Sequence, residues 1–133
     1  GTEEQKQKYL VPQARGEKIA TFGLTEPNAG SDVIGMRSYA TRDGDDWILN
    51  GEKMWISLAD VADNFLFFCW TDQEKQKVRD HSGLSCFIVE RTMPGFSSGT
   101  IHRLSRSRGR TCWRPKSSIR NMPPLAFIWN GAS

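Results

Sequence analysis

The sequence predicts a mainly β protein: an antiparallel β-sandwich or open barrel of about six strands, with a short N-terminal helix and an irregular basic tail. Short apolar or alternating segments recur between turn signals as far as about residue 101, as expected of strands. Two of those signals, Asp43-Gly44 and Asn50-Gly51, are typical of tight hairpins. Residues 1–90 mix ten Lys/Arg with fifteen Asp/Glu, whereas residues 91–133 hold eight Lys/Arg and no acid. This asymmetry separates the β-region from the tail.

The composition indicates one soluble globular domain and no membrane span. The chain has 133 residues, of which 38% are apolar and 25% charged, as in ordinary globular proteins. Its longest apolar run, residues 65–70, is far shorter than the ~20 residues of a membrane helix. Cys69, Cys86 and Cys112 are widely spaced, so they predict neither a disulfide framework nor a zinc site. We expect no metal and a reducing compartment, either the cytoplasm or an organelle matrix such as the mitochondrial matrix.

Residues 2–15 predict the helix. Thr2 is a candidate N-cap, and Glu3 and Glu4 would complement the positive end of the helix in its first turn. We expect Pro12 to end or kink the helix, because proline has no N–H to donate and its ring crowds the preceding turn.

The β-region is predicted to run from residue 19 to residue 102. Its expected strands are Ile19–Leu24, Met36–Arg42, Trp47–Leu49, Lys53–Ser57, Asn64–Thr71 and Leu84–Glu90. If both turn dipeptides form hairpins, residues 36–57 make a three-stranded antiparallel meander. The charged residues 72–81 are expected to form a solvated loop.

Two motifs resemble the signature blocks of the acyl-CoA dehydrogenases, a family of flavoenzymes. The first is Thr25-Glu26-Pro27-Asn28-Ala29-Gly30-Ser31-Asp32, where Pro27 fixes one φ angle and Gly30 permits close approach of a backbone or ligand. The second is Leu49-Asn50-Gly51-Glu52-Lys53-Met54-Trp55-Ile56-Ser57, similar to the family pattern Leu-Asn-Gly-x-Lys-x-Trp-Ile-Thr/Ser. Further similarity lies at residues 1–6, 87–90 and 94–95, so the resemblance covers residues 1 to about 102.

The resemblance implies a helical domain, a β-domain and a second helical domain, with FAD between the last two. Residues 1–18 would end the first helical domain, and residues 19–102 would be the middle β-domain. Enzymes that look like this oxidise an acyl-CoA to its trans-2-enoyl form. A carboxylate removes the α-proton and flavin N5 accepts the β-hydride. Electron-transferring flavoprotein usually reoxidises the flavin, and the full-length protein is expected to be a homo-oligomer.

By motif position, the resemblance implies eight flavin-facing residues. They are Phe22, Leu24, Thr25, Gly30, Ser31, Trp55, Ile56 and Ser57. Trp55 would pack on the isoalloxazine, Ser57 would hydrogen-bond near N5 or O4, and Ser31 would face the acyl-CoA. An apolar wall with a few placed donors suits such a ring, and donors near N5 and O4 stabilise its reduced form.

Two acids of the first motif need an explanation. Glu26 and Asp32 could be read as a proton-transfer pair, but we expect them to cap backbone N–H groups or the following turn. Unless turned away or paired, their charges would repel a pyrophosphate. We therefore assign this loop to the flavin ring and the thioester rather than to the phosphates.

The similarity fails in the last part of the chain. The catalytic glutamate of the family lies in its C-terminal helical domain, and no residue here corresponds to it, so we predict no catalytic residue and no activity for this chain alone. Residues 103–133 are rich in Arg, Ser and Pro and lack both acids and periodicity. This abrupt change predicts a frameshift, an altered splice or a fusion junction near residue 102.

Two other functions remain open. The chain could be a truncated β-module that neither binds flavin nor catalyses. Alternatively, the arginines of residues 103–120, together with Trp113, could bind nucleic acid or an acidic partner. We disfavour the second reading, because the alternation is short and matches no recognised module.

Overall fold

A computed structural model describes residues 1–100 and 111–113 of the chain. In this part of the chain, strands predominate and form two open sheets. The strands are β1 Ala20–Gly23, β2 Tyr39–Asp43, β3 Asp46–Asn50, β4 Lys53–Ile56, β5 Asn64–Trp70, β6 Leu84–Glu90, β7 Ser98–Thr100 and β8 Thr111–Trp113. The predicted mainly β fold with a short N-terminal helix is therefore confirmed.

Strand β5 organises the larger sheet. Its nearly continuous apolar sequence suits a strand covered on both faces. One edge pairs antiparallel with β6 along the whole strand. The other edge is shared, since β1 pairs with residues 64–67 and β2 pairs at Trp70. Residues 24–38 therefore leave this edge of β5 and return to it further along.

The predicted antiparallel pairing holds for β2 with β3 and for β5 with β6, but it is wrong for β5 with β1 and β2, which are parallel. Parallel neighbours need a long connection between them. Residues 24–63 provide that connection for β1 and β5, and they include β2, β3 and β4. Turn signals report only on neighbours in sequence, so they could not reveal this arrangement.

One of the two predicted hairpins is present. Strands β2 and β3 pair antiparallel across the turn at Asp43-Gly44. The hairpin predicted at Asn50-Gly51 is wrong, because β4 enters the second sheet, whose order is β4-β8-β7. Glycine is needed at this position for another reason, because a Cβ at Gly51 would lie 2.0 Å from Oγ of Ser38. Gly51 is thus required by a close contact at a corner between the sheets.

The N-terminal helix has three parts. They are α1 Glu3–Gln5, a π-helical turn Lys6–Leu10 and α2 Val11–Ala14. The predicted N-cap is confirmed, since Thr2 Oγ1 accepts from Gln5 N at 3.2 Å while Gln5 Oε1 accepts from Thr2 N at 3.0 Å. Pro12 does not end the helix, which continues to Ala14. The wider turn before Pro12 accommodates its missing N–H.

Residues 72–83 are more regular than the predicted loop. A short helix, α3 Gln73–Lys77, is followed by a 3₁₀ turn at His81–Gly83. Asp72 caps α3 by accepting from the N–H groups of Glu74 and Lys75 at 3.0 and 3.1 Å. An aspartate that can cap a helix is therefore a helix signal in this charged segment. The loop prediction considered only the charge of the segment and missed that signal.

The main core includes side chains of β4, β5 and β6. Its largest members are Leu49, Ile56, Phe65, Phe67 and Phe87. A smaller cluster packs Ala29 and Met36, both from residues 24–38, against Trp70 of β5. Trp70 Nε1 donates to the carbonyl of Met36 at 3.0 Å, which attaches this segment to the end of β5.

Part of the predicted irregular tail is a strand. Thr111–Trp113 pairs with both β7 and β4, so the prediction is wrong for these three residues. The rest of the tail, with the hypotheses of a frameshift and of a nucleic-acid arm, lies outside the described residues. Within residues 1–100 and 111–113, no helix has the length and apolar character needed to cross a bilayer.

Candidate functional site

The first motif forms a tight turn shortly after β1. Glu26 N donates to the carbonyl of Ala29 at 2.8 Å, and Ala29 N donates back to the carbonyl of Glu26 at 3.2 Å. Pro27 and Asn28 form the exposed tip, whereas Ala29 is buried in the smaller cluster. The turn is therefore anchored in the core through Ala29, and its tip is exposed to solvent.

Glu26 points inward, away from the exposed tip. Its side chain accepts from Arg37 N at 2.6 Å, from Ser38 N at 3.0 Å and from Lys53 Nζ at 2.7 Å. The prediction that Glu26 caps backbone N–H groups is confirmed. With this buried carboxylate bound by three donors, Glu26 is not placed to take a proton from a ligand at the surface.

Lys53 is the buried partner of Glu26. Its side chain is 1% exposed, and Nζ also donates to the carbonyl of Leu24 at 3.2 Å. Burial lowers the pKa of Lys53, although the carboxylate opposes that shift. Burial alone would raise the pKa of Glu26, but the hydrogen bonds from Arg37 N–H and Lys53 outweigh it, so the pKa of Glu26 is lowered. The carboxylate therefore stays ionised at neutral pH.

The second acid of the loop is also paired. Asp32 Oδ1 lies 2.6 Å from Nη2 of Arg79, and both side chains are more than half exposed. Exposed pairs of this kind contribute little to stability. With Glu26 buried and Asp32 paired, repulsion of a pyrophosphate no longer argues against a role near phosphates. The assignment of this loop to the flavin ring rather than to the phosphates stays a prediction.

The second motif places a tryptophan in unusual backbone geometry. Trp55 is half-buried at φ 61°, a conformation that bulky residues rarely adopt. The pairing of β4 with β8 shifts register between Lys53 and Ile56, which marks an irregularity around Trp55. Bulges of this kind redirect side chains and occur often beside functional sites.

Hydrogen bonds join the two motifs into one surface. Met54 N donates to the carbonyl of Thr25 at 2.8 Å. Nearby, Thr21 Oγ1 donates to the carbonyl of Ser57 at 2.7 Å. The loop after β1 and the residues around Trp55 are therefore direct neighbours, as the resemblance required.

The eight sequence-predicted residues differ in accessibility. Phe22, Gly30, Ser31 and Ser57 are exposed, and Leu24, Thr25 and Trp55 are half-buried. Ile56 is 4% exposed and belongs to the main core. Its side chain therefore faces inward, and its place in a ligand-facing wall could only be through the backbone.

The accessible residues suit a flat aromatic group with a polar edge. Phe22 on β1 leaves 60% of its surface exposed, so its ring is accessible to a ligand. A Cβ added at Gly30 would meet no atom within 4 Å, so packing within the described chain does not require a glycine there. Each motif also carries an exposed serine, Ser31 in the first and Ser57 in the second. This combination fits a flavin.

Sequence reasoning missed Lys53 and Ser38. A signal for Lys53 existed, because it precedes Met54-Trp55-Ile56 within a strand whose other members are apolar. A buried lysine needs a nearby acid. No comparable signal points to Ser38. Among the described residues, no three His, Cys, Asp or Glu side chains form a group that could hold a metal ion.

The described residues form a two-sheet β-domain in which the loop after β1 contacts the strained strand β4. The family follows from comparison with known proteins, because residues 21–113 match the acyl-CoA dehydrogenase middle domain. The chain belongs to the acyl-CoA dehydrogenase family. The match continues past residue 102 and ends with β8, beyond the limit that the motifs alone indicated.

Individual proteins similar to this chain support the same family assignment. The chain is 48% identical over 103 residues to a short-chain specific acyl-CoA dehydrogenase of Clostridium acetobutylicum, covering 77% of this chain and 26% of that protein. Its fold matches a glutaryl-CoA dehydrogenase from Mycobacterium smegmatis in complex with FADH2, with a TM-score of 0.77, 40% identity and coverage of 92% and 30%.

A third match is a chain in the structure reported for an electron transferring flavoprotein of Acidaminococcus fermentans. Its TM-score is 0.77 at 37% identity, with coverage of 92% of this chain and 32% of that one. The chain spans about a quarter of the length of the curated relatives it matches.

Proposed function

We propose that this chain provides the FAD- and acyl-CoA-facing β-domain of an acyl-CoA dehydrogenase that oxidises acyl-CoA thioesters between the α and β carbons. The observation that carries the proposal is the junction of the two motifs. The carbonyl of Thr25 accepts from Met54 N at 2.8 Å, immediately beside Trp55. Residues far apart in sequence are thus neighbours, and an aromatic ring and hydroxyl groups lie beside this contact.

In this proposal, the loop and β4 have different tasks. Trp55 supplies a flat apolar face, and Ser57 supplies a donor at the polar edge of the ring. Phe22, Thr25 and Gly30 border the same surface, while Ser31 faces the acyl-CoA. The bound flavin would supply the redox chemistry by accepting the hydride. The residues of this chain bind and orient; none of them moves the substrate proton.

We assign no general base to the chain. The two acids of the first motif are engaged, Glu26 with Arg37 N, Ser38 N and Lys53, and Asp32 with Arg79. Turnover would therefore require the parts of an acyl-CoA dehydrogenase that lie outside the middle domain. We expect this chain alone to be inactive.

The partners and compartment follow from the same proposal. The similarity to a chain in the electron transferring flavoprotein structure supports such a flavoprotein as the electron acceptor. Cys69 and Cys86 are buried free thiols, which supports a reducing compartment, the cytoplasm or the mitochondrial matrix. The complete enzyme would be a homo-oligomer.

The test is a titration of the full chain with FAD, followed by flavin absorbance and fluorescence. We expect saturable binding, and at least a 10-fold weaker affinity for Trp55→Ala, a loss of about 1.4 kcal/mol. Val78→Ala is the matched control, since Val78 is 75% exposed just after α3 and outside the candidate surface.

Each outcome of this titration is informative. Unchanged affinity in Trp55→Ala would remove the proposed role of that side chain. No saturable binding by the unmodified chain would contradict the flavin-facing surface and favour a β-module that does not bind flavin.

A further inference from the structure

Two oppositely charged side chains are buried together beneath the proposed flavin surface. The side chain of Lys53 is 1% exposed and that of Glu26 is 5% exposed, with Nζ and Oε1 2.7 Å apart. Burying charges is costly unless they are paired and hydrogen-bonded. The pair meets that condition. Pairing explains how the two charges are tolerated in the interior, but not why they are placed there.

The pair connects consecutive residues of the loop to β4. Lys53 Nζ donates to the carbonyl of Leu24 at 3.2 Å and to Glu26 Oε1 at 2.7 Å. Between these two contacts, Met54 N donates to the carbonyl of Thr25 at 2.8 Å. Three successive loop residues are therefore bound to two successive residues of the strand that carries Trp55.

The same carboxylate closes the base of the loop. Glu26 lies near its start and accepts from Arg37 N at 2.6 Å and Ser38 N at 3.0 Å, near its end. The lysine has little room to move, because a Cβ on Gly23 would lie 3.1 Å from Cγ of Lys53. Its ammonium also lies 5.0 Å from the centre of the Phe67 ring. One buried group thus holds both ends of the loop and β4.

We infer that Glu26 and Lys53 are positioning residues that hold residues 25–31 against Trp55, so that the two halves of the flavin surface share one geometry before the cofactor binds. The inference rests on the proposed function. A purely stabilising role is a poor explanation, since replacing a buried ion pair by neutral residues of similar shape is often neutral or stabilising. Such a replacement removes the bonds that orient the loop relative to Trp55. Sites that are preorganised in this way bind their ligands more tightly.

The test compares Glu26→Gln, Lys53→Met and the double variant by urea denaturation, amide hydrogen exchange and FAD titration. The single variants leave one buried polar partner unsatisfied, so both should unfold at lower urea. The double variant should unfold at nearly the urea midpoint of the unmodified chain. It should still exchange the Met54 amide at least 10-fold faster and bind FAD at least 10-fold more weakly.

The matched control is the double variant Asp32→Asn/Arg79→Gln, which removes the exposed ion pair of the same loop. It should leave Met54 exchange and FAD affinity unchanged. A Glu26→Gln/Lys53→Met protein with the Met54 protection and FAD affinity of the unmodified chain would overturn the inference. If that protein does not fold, Glu26→Asp, which keeps the charge but shortens the reach, should show the same selective loss, and normal values would overturn the inference.

Failure of the proposed function would look different. In that case the unmodified chain would not bind FAD at all. Met54 exchange in the double variant would still report whether the buried pair holds the loop on β4, because that measurement needs no cofactor.

Discussion

Gly51 shows how a single missing side chain sets the path of the chain toward the candidate site. A Cβ at this position would lie 2.0 Å from Oγ, 2.5 Å from Cβ and 2.8 Å from Cα of Ser38. Because the backbone of Ser38 takes part, a change of rotamer cannot relieve the contact. Its φ of 147° is also unfavourable for an L side chain. This contact holds the corner from which β4 departs toward Trp55.

Gly51→Ala should therefore be strongly destabilising, by about 3 kcal/mol. Gly44→Ala is the control, because Gly44 has φ 63° but a Cβ there meets no atom within 4 Å. Backbone strain alone should cost that variant about 1 kcal/mol. Urea denaturation measures both. Equal losses in the two variants would show that the contact with Ser38 is not the determining feature.

At the level of single residues, local chemistry was predictable and long-range partners were not. The capping roles of Thr2 and Glu26 follow from side chains that reach nearby backbone groups, within 12 residues in both cases. The ion pair of Glu26 with Lys53 spans 27 residues and depends on the fold. The burial of Ile56 was not predictable for a similar reason, since its motif position did not show which face of β4 lies on the core.

Among the elements, the N-terminal helix is attached to the β-domain by a small polar cluster. Tyr9 Oη donates to Glu90 Oε1 at 2.8 Å, and Lys8 Nζ lies 2.8 Å from the same oxygen. The hydrogen bond from Lys8 lowers the pKa of Glu90, with burial opposing that shift. Since Glu90 ends β6, the cluster ties the helix to the strand that pairs along all of β5.

Tyr9→Phe should loosen the helix without unfolding the sheets. The variant loses a hydrogen bond to a carboxylate, worth roughly 1.5 kcal/mol at this half-exposed site. Amide exchange in residues 9–14 should become faster, whereas exchange in β5 should not change. Lys6→Met is the control, because the pair of Lys6 with Glu3 is exposed and should contribute little. Equal effects of the two substitutions would contradict this account of the attachment.

Elements were predictable where their partner is adjacent in sequence. The β2–β3 hairpin follows from Asp43-Gly44, and β5 follows from its apolar run. The parallel pairing of β1 with β5 and the pairing of β4 with β8 join segments separated by more than 40 residues. Turn chemistry and periodicity carry no information on such pairings.

For the whole molecule, buried and paired carboxylates predict a stability that depends on pH. Hydrogen bonds lower the pKa of Glu26 in the folded state from an ordinary value of 4.5, although burial opposes them. The folded state therefore binds fewer protons than the unfolded state near that pH. The stabilisation is complete above pH 4.5 and is lost as the pH falls through the folded pKa.

The urea midpoint should thus decrease steadily as the pH is lowered below 4.5, the ordinary pKa of Glu26. The Glu26→Gln/Lys53→Met variant should show a shallower decrease, because it lacks the carboxylate concerned. Urea titrations at several pH values on both proteins measure the difference. An equally steep decrease in the variant would assign the acid sensitivity to other carboxylates.

At this largest scale, the family was predictable because two motifs, residues 25–32 and 49–57, carry it within a short distance. The extent of the domain was not, since β8 follows an arginine-rich segment without strand periodicity and is specified by its pairing with β7 and β4. In the proposed function, these two motifs form one flavin-facing surface.

The most direct test is an NMR titration of the ¹⁵N-labelled chain with FAD. We expect amide shift changes concentrated in residues 22–31 and 55–57, all saturating with one affinity. Residues 3–14 and Val78 should not shift. No saturable change, or changes confined to other surfaces, would contradict the claim that this loop and β4 together face the flavin.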